Sequence, residues 1–224
     1  MLSVIVVSKN RHSILQRCLR SIVDNSDDID LWIGYDDGDE LTKEIGLSFG
    51  AKIFSSKASG NRHKYLINPI ANACAGDYVI SLNDDVEVMT EKFDDIISNV
   101  MYNSFKLNKV GYGICREKWS IGNAKSDWEA SLGHQYACYP VLTKPLINVL
   151  GYFMPPQISG PGADIALSSV IFGADNPPFC NIPVHLFDHA YVSEKNQSRH
   201  YNNYTNQDLN KDIEKINAFT NNQP

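Results

Sequence analysis

The chain has 224 residues, of which 43% are hydrophobic and 21% charged, a balance typical of a globular protein and one that excludes wholesale disorder, collagen and mucin-like stalks. Its 20 basic and 26 acidic residues give a net charge of −6, which speaks against a general nucleic-acid-binding protein but leaves room for a local basic pocket. No apolar run reaches the roughly 18 residues of a membrane-spanning helix. We therefore expect a cytoplasmic protein without a transmembrane segment, or one that meets a membrane surface only through a partner.

The first half of the chain alternates between two patterns. Continuous β-branched runs are typical of strands buried on both faces, and apolar residues at helical spacing lie between them. The predicted strands are Leu2–Val7, Ile29–Tyr35, Ala51–Phe54, Asp77–Leu82 and Val110–Cys115. The predicted helices are Ile14–Val23, Leu41–Phe49, Arg62–Ala75 and Glu91–Phe105, the third weakened by Pro69. This alternation predicts parallel βαβ units with right-handed crossovers.

The pattern changes after about Glu117, where glycine, proline and aromatic residues become more frequent. The elements predicted there are a strand at Tyr136–Leu142, helices at Lys144–Leu150 and Ala163–Phe172, a strand at Phe179–Leu186 and a helix near Leu209–Phe219. The sequence thus predicts a single compact α/β domain with a mixed, mostly parallel sheet and helices on both faces. Within it we distinguish residues 1–116, residues 117–192 and a polar tail, residues 193–224.

The five cysteines predict reduced thiols rather than a disulfide framework. They are scattered singly, none has CxxC spacing, and their number is odd. We expect all five to be buried: Cys18, Cys74, Cys115, Cys138 and Cys180.

Three polar clusters follow predicted strands, namely Ser8–Arg11, Asp36–Gly38 and Asn83–Asp85. Ligands of open parallel sheets bind beyond the carboxyl ends of the strands, so the coincidence predicts a binding site. Taken alone, Asp-Asp-Gly is more often a turn, and the pair Asp84–Asp85 could cap a helix. Adjacent carboxylates repel each other unless a cation compensates them, and Mg²⁺ or Mn²⁺ holding a diphosphate would do so.

These segments resemble the inverting GT-A glycosyltransferases, family 2-like enzymes that use nucleotide sugars to build polysaccharides and other glycans. The resemblance rests on Ser3–Arg11, Asp36–Gly38 and Ala75–Asp85, and it is clear over roughly residues 1–116. It is weaker from residue 136 to residue 174, where Ala137–Gly151 is similar to an acceptor-side strand and helix and Gly162–Leu167 to a catalytic segment. It implies a Rossmann-like GT-A fold and transfer from a nucleotide-diphosphate sugar, in the first place a UDP-sugar, to a hydroxyl of a glycan or other small acceptor.

The resemblance also implies which residues bind the nucleotide-sugar donor. They are Val7, Ser8, Asn10, Asp36, Lys57, Arg62, Lys64, Asn83 and Asp84. Val7, Ser8 and Asn10 would line the base, and Asp36 would bond the base or the ribose. Asp84 would contact the ribose or the metal. Arg62 or Lys64, helped by Lys57, would face the diphosphate, a task that suits their charge.

The implied chemistry uses a metal and one catalytic carboxylate. Asp85 would hold Mn²⁺ or Mg²⁺, and His189, or failing that His185, would complete the metal shell. Asp164 would be the general base that takes the proton of the acceptor hydroxyl. Two departures stand out: Asn83 replaces the first aspartate of the usual DxD motif, and Ala163 replaces the glutamate that often precedes the base.

Several alternatives remain open at this stage. Asp164 could cap its helix, His189 could be a structural histidine, and Arg62 with Lys64 could be a solvated helix face. Trp128 is a weak candidate for stacking on an acceptor sugar, since aromatic residues are more often core. The alternative functions are a catalytically weak or inactive nucleotide-sugar-binding protein and, ranked lower, a nucleotidyltransferase.

Overall fold

An eight-stranded mixed sheet organises the fold in a computed structural model that describes residues 1–57, 60–107, 109–119, 137–158, 162–189 and 205–221. The strands are β1 (Leu2–Ser8), β2 (Ile29–Asp36), β3 (Lys52–Ser56), β4 (Tyr78–Asn83), β5 (Val86–Val88), β6 (Tyr112–Trp119), β7 (Pro140–Thr143) and β8 (Phe179–Asp188). They lie in the order β3-β2-β1-β4-β7-β6-β8-β5.

The strands β3, β2, β1 and β4 are parallel, as the βαβ pattern predicts. Every residue of β1 is buried, and Val7 lies between Gly34 of β2 and Asn83 of β4. Because these strands run in register, their carboxyl ends meet at one edge of the sheet. The three polar clusters therefore come together there.

Helices cover both faces of the sheet. They are α1 (His12–Asp24), α2 (Glu40–Ser48), a π-helical turn (His63–Ile67) that runs into α3 (Asn68–Ala73), α4 (Phe93–Phe105), α5 (Lys144–Leu150), α6 (Ala163–Phe172) and α7 (Asn206–Asn221). Alternate residues of β1 enter two separate cores: Val4 and Val6 pack with α1 and α4, and Ile5 and Val7 with α3, α5 and α6. This follows from the period of two along a strand.

Pro69 divides the helix predicted over Arg62–Ala75. The first part is a π-helical turn, and Pro69 lies in the first turn of the short helix α3 that follows. Proline is tolerated there because the N–H groups of a first helical turn have no partner within the helix.

The strand β5 was missing from the predicted elements. Only Asp84 and Asp85 separate it from β4, yet it lies four places away in the sheet, paired with β8. A flat sheet would put those strands about 19 Å apart, whereas this connection spans roughly 10 Å. The sheet therefore curls, and the two aspartates lie in the bend.

Two further predicted elements differ in extent. The strand predicted at Tyr136–Leu142 begins later, at Pro140, and ends one residue further on, at Thr143, while Tyr136 lies outside the described residues. The last strand extends two residues beyond Leu186 to Asp188, because Val86 and Glu87 of β5 pair with its end.

The described part of the polar tail packs on the rest of the molecule. The helix α7 buries Ile216, and its Asp212 accepts a hydrogen bond from the Tyr152 hydroxyl at 2.5 Å. Within the described part of the chain, no helix is both long enough and apolar enough to cross a bilayer.

The cysteine expectation needs one correction. Cys18, Cys74 and Cys115 are free and buried, but Cys138 and Cys180 are free and only half-buried.

Candidate active site

The carboxylates of Asp84 and Asp85 form the centre of the candidate site, in the bend between β4 and β5. Asp84 is 2% exposed and Asp85 8% exposed, so both charges are held away from water. The Ser8 hydroxyl, at the end of β1, donates to Asp84 Oδ2 at 2.6 Å. Burial raises the pKa of Asp84, while the Ser8 hydrogen bond and the charge of Arg11 lower it.

Arg11 bridges the two aspartates. Its Nη1 donates to Asp84 Oδ1 at 2.5 Å and its Nη2 to Asp85 Oδ2 at 2.8 Å. One guanidinium therefore compensates both buried carboxylates, as a bidentate fork can. Arg11 belongs to the predicted cluster Ser8–Arg11 but was not among the residues assigned a role.

The pair fits a divalent cation in one specific respect. Asp85 Oδ1 is buried and accepts no hydrogen bond from any described residue. An unpartnered buried carboxylate oxygen is costly, and Mg²⁺ sites typically use one or two carboxylates plus phosphate oxygens. No group of three or more histidine, cysteine or acidic side chains within the described ranges is arranged to hold a metal ion. Among the described residues, Asp84 and Asp85 could therefore hold such an ion only together with oxygen ligands from a bound molecule.

The β8 register separates the two histidine candidates. The His189 N–H donates to the Asp85 carbonyl at 3.1 Å, so this residue lies beside Asp85. His185 lies four residues before His189 on β8, about 13 Å away along the strand, and its carbonyl accepts the Met89 N–H. The His189 imidazole Nε2 lies 2.9 Å from Glu87 Oε1, and the ring packs edge-on against Phe187.

A 350 Å³ cleft opens at the ends of β1, β2 and β3. It is lined by Lys9, Asn10, Asp36, Asp37, Gly38, Asp39, Ser56 and Lys57. Three residues predicted to bind the donor, Asn10, Asp36 and Lys57, thus share one cavity. Lys9 Nζ forms an ion pair with Asp36 Oδ2 at 2.5 Å. A hydrogen-bond donor and a hydrogen-bond acceptor therefore lie next to each other in the cleft wall.

Asp39 connects the loop after β1 with the start of α2 through hydrogen bonds, and both border this cleft. It accepts hydrogen bonds from the Asn10 N–H at 2.8 Å and from the Thr42 hydroxyl at 2.7 Å, and it lies 3.0 Å from His12 Nε2. Burial by itself would raise the pKa of Asp39, but the bonds from Asn10, Thr42 and His12 outweigh it and lower the pKa to about 2. Asp39 is also the N-cap of α2.

The remaining predicted donor residues are more dispersed. Val7 is buried in the same core cluster as Leu66. Arg62 is exposed, yet close enough to Asp84 for its charge to lower that group's pKa against the larger effect of burial. Lys64 is exposed, with its Nζ 5.1 Å from the centre of the Tyr65 ring. Of the two predicted diphosphate contacts, Arg62 is the one whose charge acts on the pKa of Asp84.

Asp164 lies in the first turn of α6, half-buried, with its Oδ1 accepting the Gly162 N–H at 3.1 Å. Cys138 and Glu117 share its electrostatic surroundings. Glu117 accepts the N–H groups of Cys138 at 3.2 Å and of Tyr139 at 3.0 Å. Burial raises the pKa of Glu117 to about 7, so two carboxyl groups of different character lie in this region.

Asn83, Tyr139 and Asp188 form a chain of hydrogen bonds beside the aspartate pair. The amide of Asn83 donates to the Tyr139 hydroxyl at 3.1 Å, and that hydroxyl donates to Asp188 Oδ2 at 2.5 Å. The charge of Asp188 also acts on Arg11, whose pKa is raised by Asp85, Asp84 and Asp188 against the lowering effect of burial.

The sequence reasoning missed five residues of this region: Arg11, Asp39, Glu117, Tyr139 and Asp188. Arg11 belongs to the first polar cluster and Asp39 follows the second, but the sequence pattern gave neither of them a role. Asp188 directly precedes His189, the predicted metal ligand. Only the strand register shows that Asp188, and not His189, faces the Tyr139 hydroxyl. Trp128 lies outside the described residues.

Comparison with known proteins gives the family. The model of glycosyl transferase family 2 matches residues 3–136. The chain belongs to this family. The matched range includes all three clusters at the strand ends. No curated protein matches the chain.

Solved structures of GT-A glycosyltransferases share the fold of this family 2 chain. Residues 1–349 of TarS from S. aureus are 12% identical with a TM-score of 0.65, covering 84% of this chain and 60% of that one. The mannosyltransferase PcManGT from Pyrobaculum calidifontis, in complex with GDP-Man and Mn²⁺, is 12% identical with a TM-score of 0.64, covering 89% and 58%. GalNAc-T7 with UDP, GalNAc and Mn²⁺ is 14% identical with a TM-score of 0.62, covering 84% and 44%. The chain thus spans 60% or less of these three structures, and at such identities the likeness shows the GT-A fold.

Proposed function

We propose that this chain is a metal-dependent inverting glycosyltransferase that moves a sugar from a nucleotide-diphosphate sugar, in the first place a UDP-sugar, to a hydroxyl of a glycan or other acceptor. The observation that carries the proposal is the position of a polar cleft next to a buried carboxylate pair that retains an unpartnered oxygen. Such a pair suits a cation that also holds a diphosphate. Among the similar structures, TarS has been determined with UDP and with UDP-GlcNAc, and PcManGT with GDP-Man and Mn²⁺.

The donor would bind along the ends of the parallel strands. Its base would enter the cleft against Asn10 and Asp36, and its diphosphate would extend toward Asp85. Lys57 and Arg62 flank this path, and their positive charges would stabilise the negative charge that develops on the departing diphosphate. A divalent cation bound at Asp85 would add a Lewis acid at the same leaving group.

The acceptor would approach from the side of α6. Asp164 is half-buried and therefore retains access to a substrate, whereas Glu117 is almost fully buried. As the acceptor oxygen attacks the anomeric carbon, Asp164 would take its proton. Attack opposite the leaving diphosphate is a single displacement, which inverts the anomeric configuration.

The test combines calorimetry with turnover. UDP and GDP are titrated with and without Mn²⁺, and release of nucleoside diphosphate from UDP-glucose, UDP-GlcNAc and GDP-mannose is followed with a panel of simple glycosides as acceptors. We expect Mn²⁺-dependent turnover that Asp85→Asn abolishes. The matched control is Asp95→Asn, which changes the exposed member of a second Asp-Asp pair, on α4.

The results separate the functional classes. Turnover that persists in EDTA and in Asp85→Asn contradicts a metal at Asp85. Binding of UDP without turnover on any acceptor supports the inactive nucleotide-sugar-binding protein. The hydrogen bond from the Asn83 amide to the Tyr139 hydroxyl favours this alternative, because it occupies the side chain that stands in place of an aspartate. Release of pyrophosphate from a nucleoside triphosphate would indicate a nucleotidyltransferase.

A further inference from the structure

The Arg11 guanidinium lies where the carboxylate pair would meet a divalent cation. Of the four carboxylate oxygens of Asp84 and Asp85, three accept hydrogen bonds: two from Arg11 and one from Ser8. Only Asp85 Oδ1 accepts none from the described residues. A single buried oxygen is a poor site for an ion that prefers six or more oxygen ligands.

The charges lead to the same conclusion. The two aspartates carry two negative charges, and Arg11 already neutralises one of them. Like charges repel strongly where burial keeps water away, so a divalent ion placed beside this guanidinium would lose much of its attraction to the pair. The ion and the guanidinium are therefore competitors for the same two carboxylates.

Arg11 is also the partner that is able to move. Its side chain is 31% exposed, whereas those of Asp84 and Asp85 are 2% and 10% exposed. It occupies the N-cap position of α1 but makes no capping hydrogen bond with its side chain. Release of the guanidinium therefore costs α1 no side-chain capping hydrogen bond.

We propose that the Arg11 guanidinium is the counter-ion of the carboxylate pair in the metal-free protein, and that a divalent metal binds Asp84 and Asp85 by displacing it. This inference rests on the proposed function and adds to it how the metal site is regulated. Arg11 holds the carboxylates in place in the metal-free protein and sets the affinity for the metal. It is a positioning residue, because it acts through the two aspartates.

The test measures Mn²⁺ binding to the full chain by calorimetry, without nucleotide, in wild type, Arg11→Met, Arg11→Lys and Arg20→Met. We expect Arg11→Met to bind Mn²⁺ roughly 10- to 100-fold more tightly than wild type. In wild type the metal must first break a charge-assisted hydrogen bond between Arg11 and the carboxylates, and a factor of this size corresponds to the free energy of one such bond. Arg11→Lys keeps the charge but not the fork, so its affinity falls between the two. Arg20, exposed on the same helix, is the matched control and leaves the affinity unchanged.

Thermal unfolding gives a readout independent of activity. In EDTA, Arg11→Met melts below wild type because two buried carboxylates lose their counter-ion. Saturating Mn²⁺ raises the melting temperature of Arg11→Met by more than it raises that of wild type or Arg20→Met. An equal rise in all three proteins contradicts the inference.

A further measurement uses the wild-type protein alone, in case Arg11→Met does not fold. The Nε–H resonance of Arg11, identified by its absence from Arg11→Lys, is followed by NMR during titration with diamagnetic Mg²⁺. Displacement predicts a large shift that saturates with metal binding. Mg²⁺ binding that leaves this resonance in place overturns the inference.

The two proposals fail in different ways. Equal Mn²⁺ affinity in wild type and Arg11→Met, with metal-dependent sugar transfer intact, overturns the role of Arg11 and leaves the function standing. Tighter Mn²⁺ binding by Arg11→Met, without turnover or UDP binding by wild type, supports the role of Arg11 and overturns the function.

Discussion

The Tyr139 hydroxyl donates its only proton to Asp188 Oδ2, at a distance of 2.5 Å. The same hydroxyl oxygen can then only accept, and it accepts from the amide of Asn83 at 3.1 Å. This polarity gives a physical reason for the amide at Asn83, the position that the resemblance matches to the first aspartate of a DxD motif. A carboxylate there would face an oxygen that has no proton left to donate.

Asn83→Asp is therefore expected to destabilise the protein by roughly 1 kcal/mol, the scale of one hydrogen bond lost at a partly exposed site. Denaturant unfolding at pH 7 measures the effect. In a Tyr139→Phe background the hydroxyl is absent and the cost of Asn83→Asp should shrink, so the double-mutant cycle isolates the interaction. Equal costs in both backgrounds would show that the hydroxyl does not select the amide.

Asp164→Asn should lower sugar transfer by about 10²- to 10⁴-fold, the range for loss of a general base, without changing UDP affinity. Steady-state turnover and calorimetry measure the two quantities. Asp208→Asn is the matched control, because Asp208 likewise lies in a first helical turn and accepts a local backbone N–H, that of Thr205. If Asp164→Asn keeps most of the wild-type rate, the carboxylate only stabilises the start of α6.

Glu117→Gln tests the buried carboxyl whose pKa burial raises to about 7. The unfolded chain ionises this group near pH 4.5 and the folded protein only near pH 7, so wild type loses stability as the pH rises between those values. Glutamine does not ionise, so the stability of the variant relative to wild type should rise by roughly 2–3 kcal/mol between pH 4.5 and pH 8. A cost independent of pH is added, because the glutamine amide group has one acceptor oxygen for the two N–H groups of Cys138 and Tyr139. Urea unfolding at both pH values gives the difference, and a gap independent of pH would contradict the prediction.

Asp39→Ala should cost about 1–2 kcal/mol of stability, because it removes the N-cap of α2. It should also weaken UDP binding, since Asp39 holds the Asn10 loop against the cleft. Thr42→Val removes only the hydroxyl bond and is the control that should leave UDP binding unchanged. Because the pKa of Asp39 is lowered to about 2, its contribution is present above pH 4 and disappears as the pH falls through 2.

Much of the fold was predictable from local patterns. The continuous apolar run Leu2–Val7 indicates a buried strand, and the apolar residues after it recur at helical spacing. Parallel strands place the polar residues that follow them at one edge of the sheet. The clusters beginning at Ser8, Asp36 and Asn83 could therefore be assigned to one site. The family follows from the same segments.

Long-range pairing decided the rest. The sequence by itself determined a parallel sheet with an aspartate pair at its edge. Only the tertiary structure brought Arg11 to that pair, because β1 pairs in parallel with β4 and the ends of both strands meet. It also brought Asp188 beside the pair, because β5 pairs with β8 about 100 residues later in the chain. Such contacts leave no periodicity in the sequence, since each depends on register between strands that meet only in the folded protein.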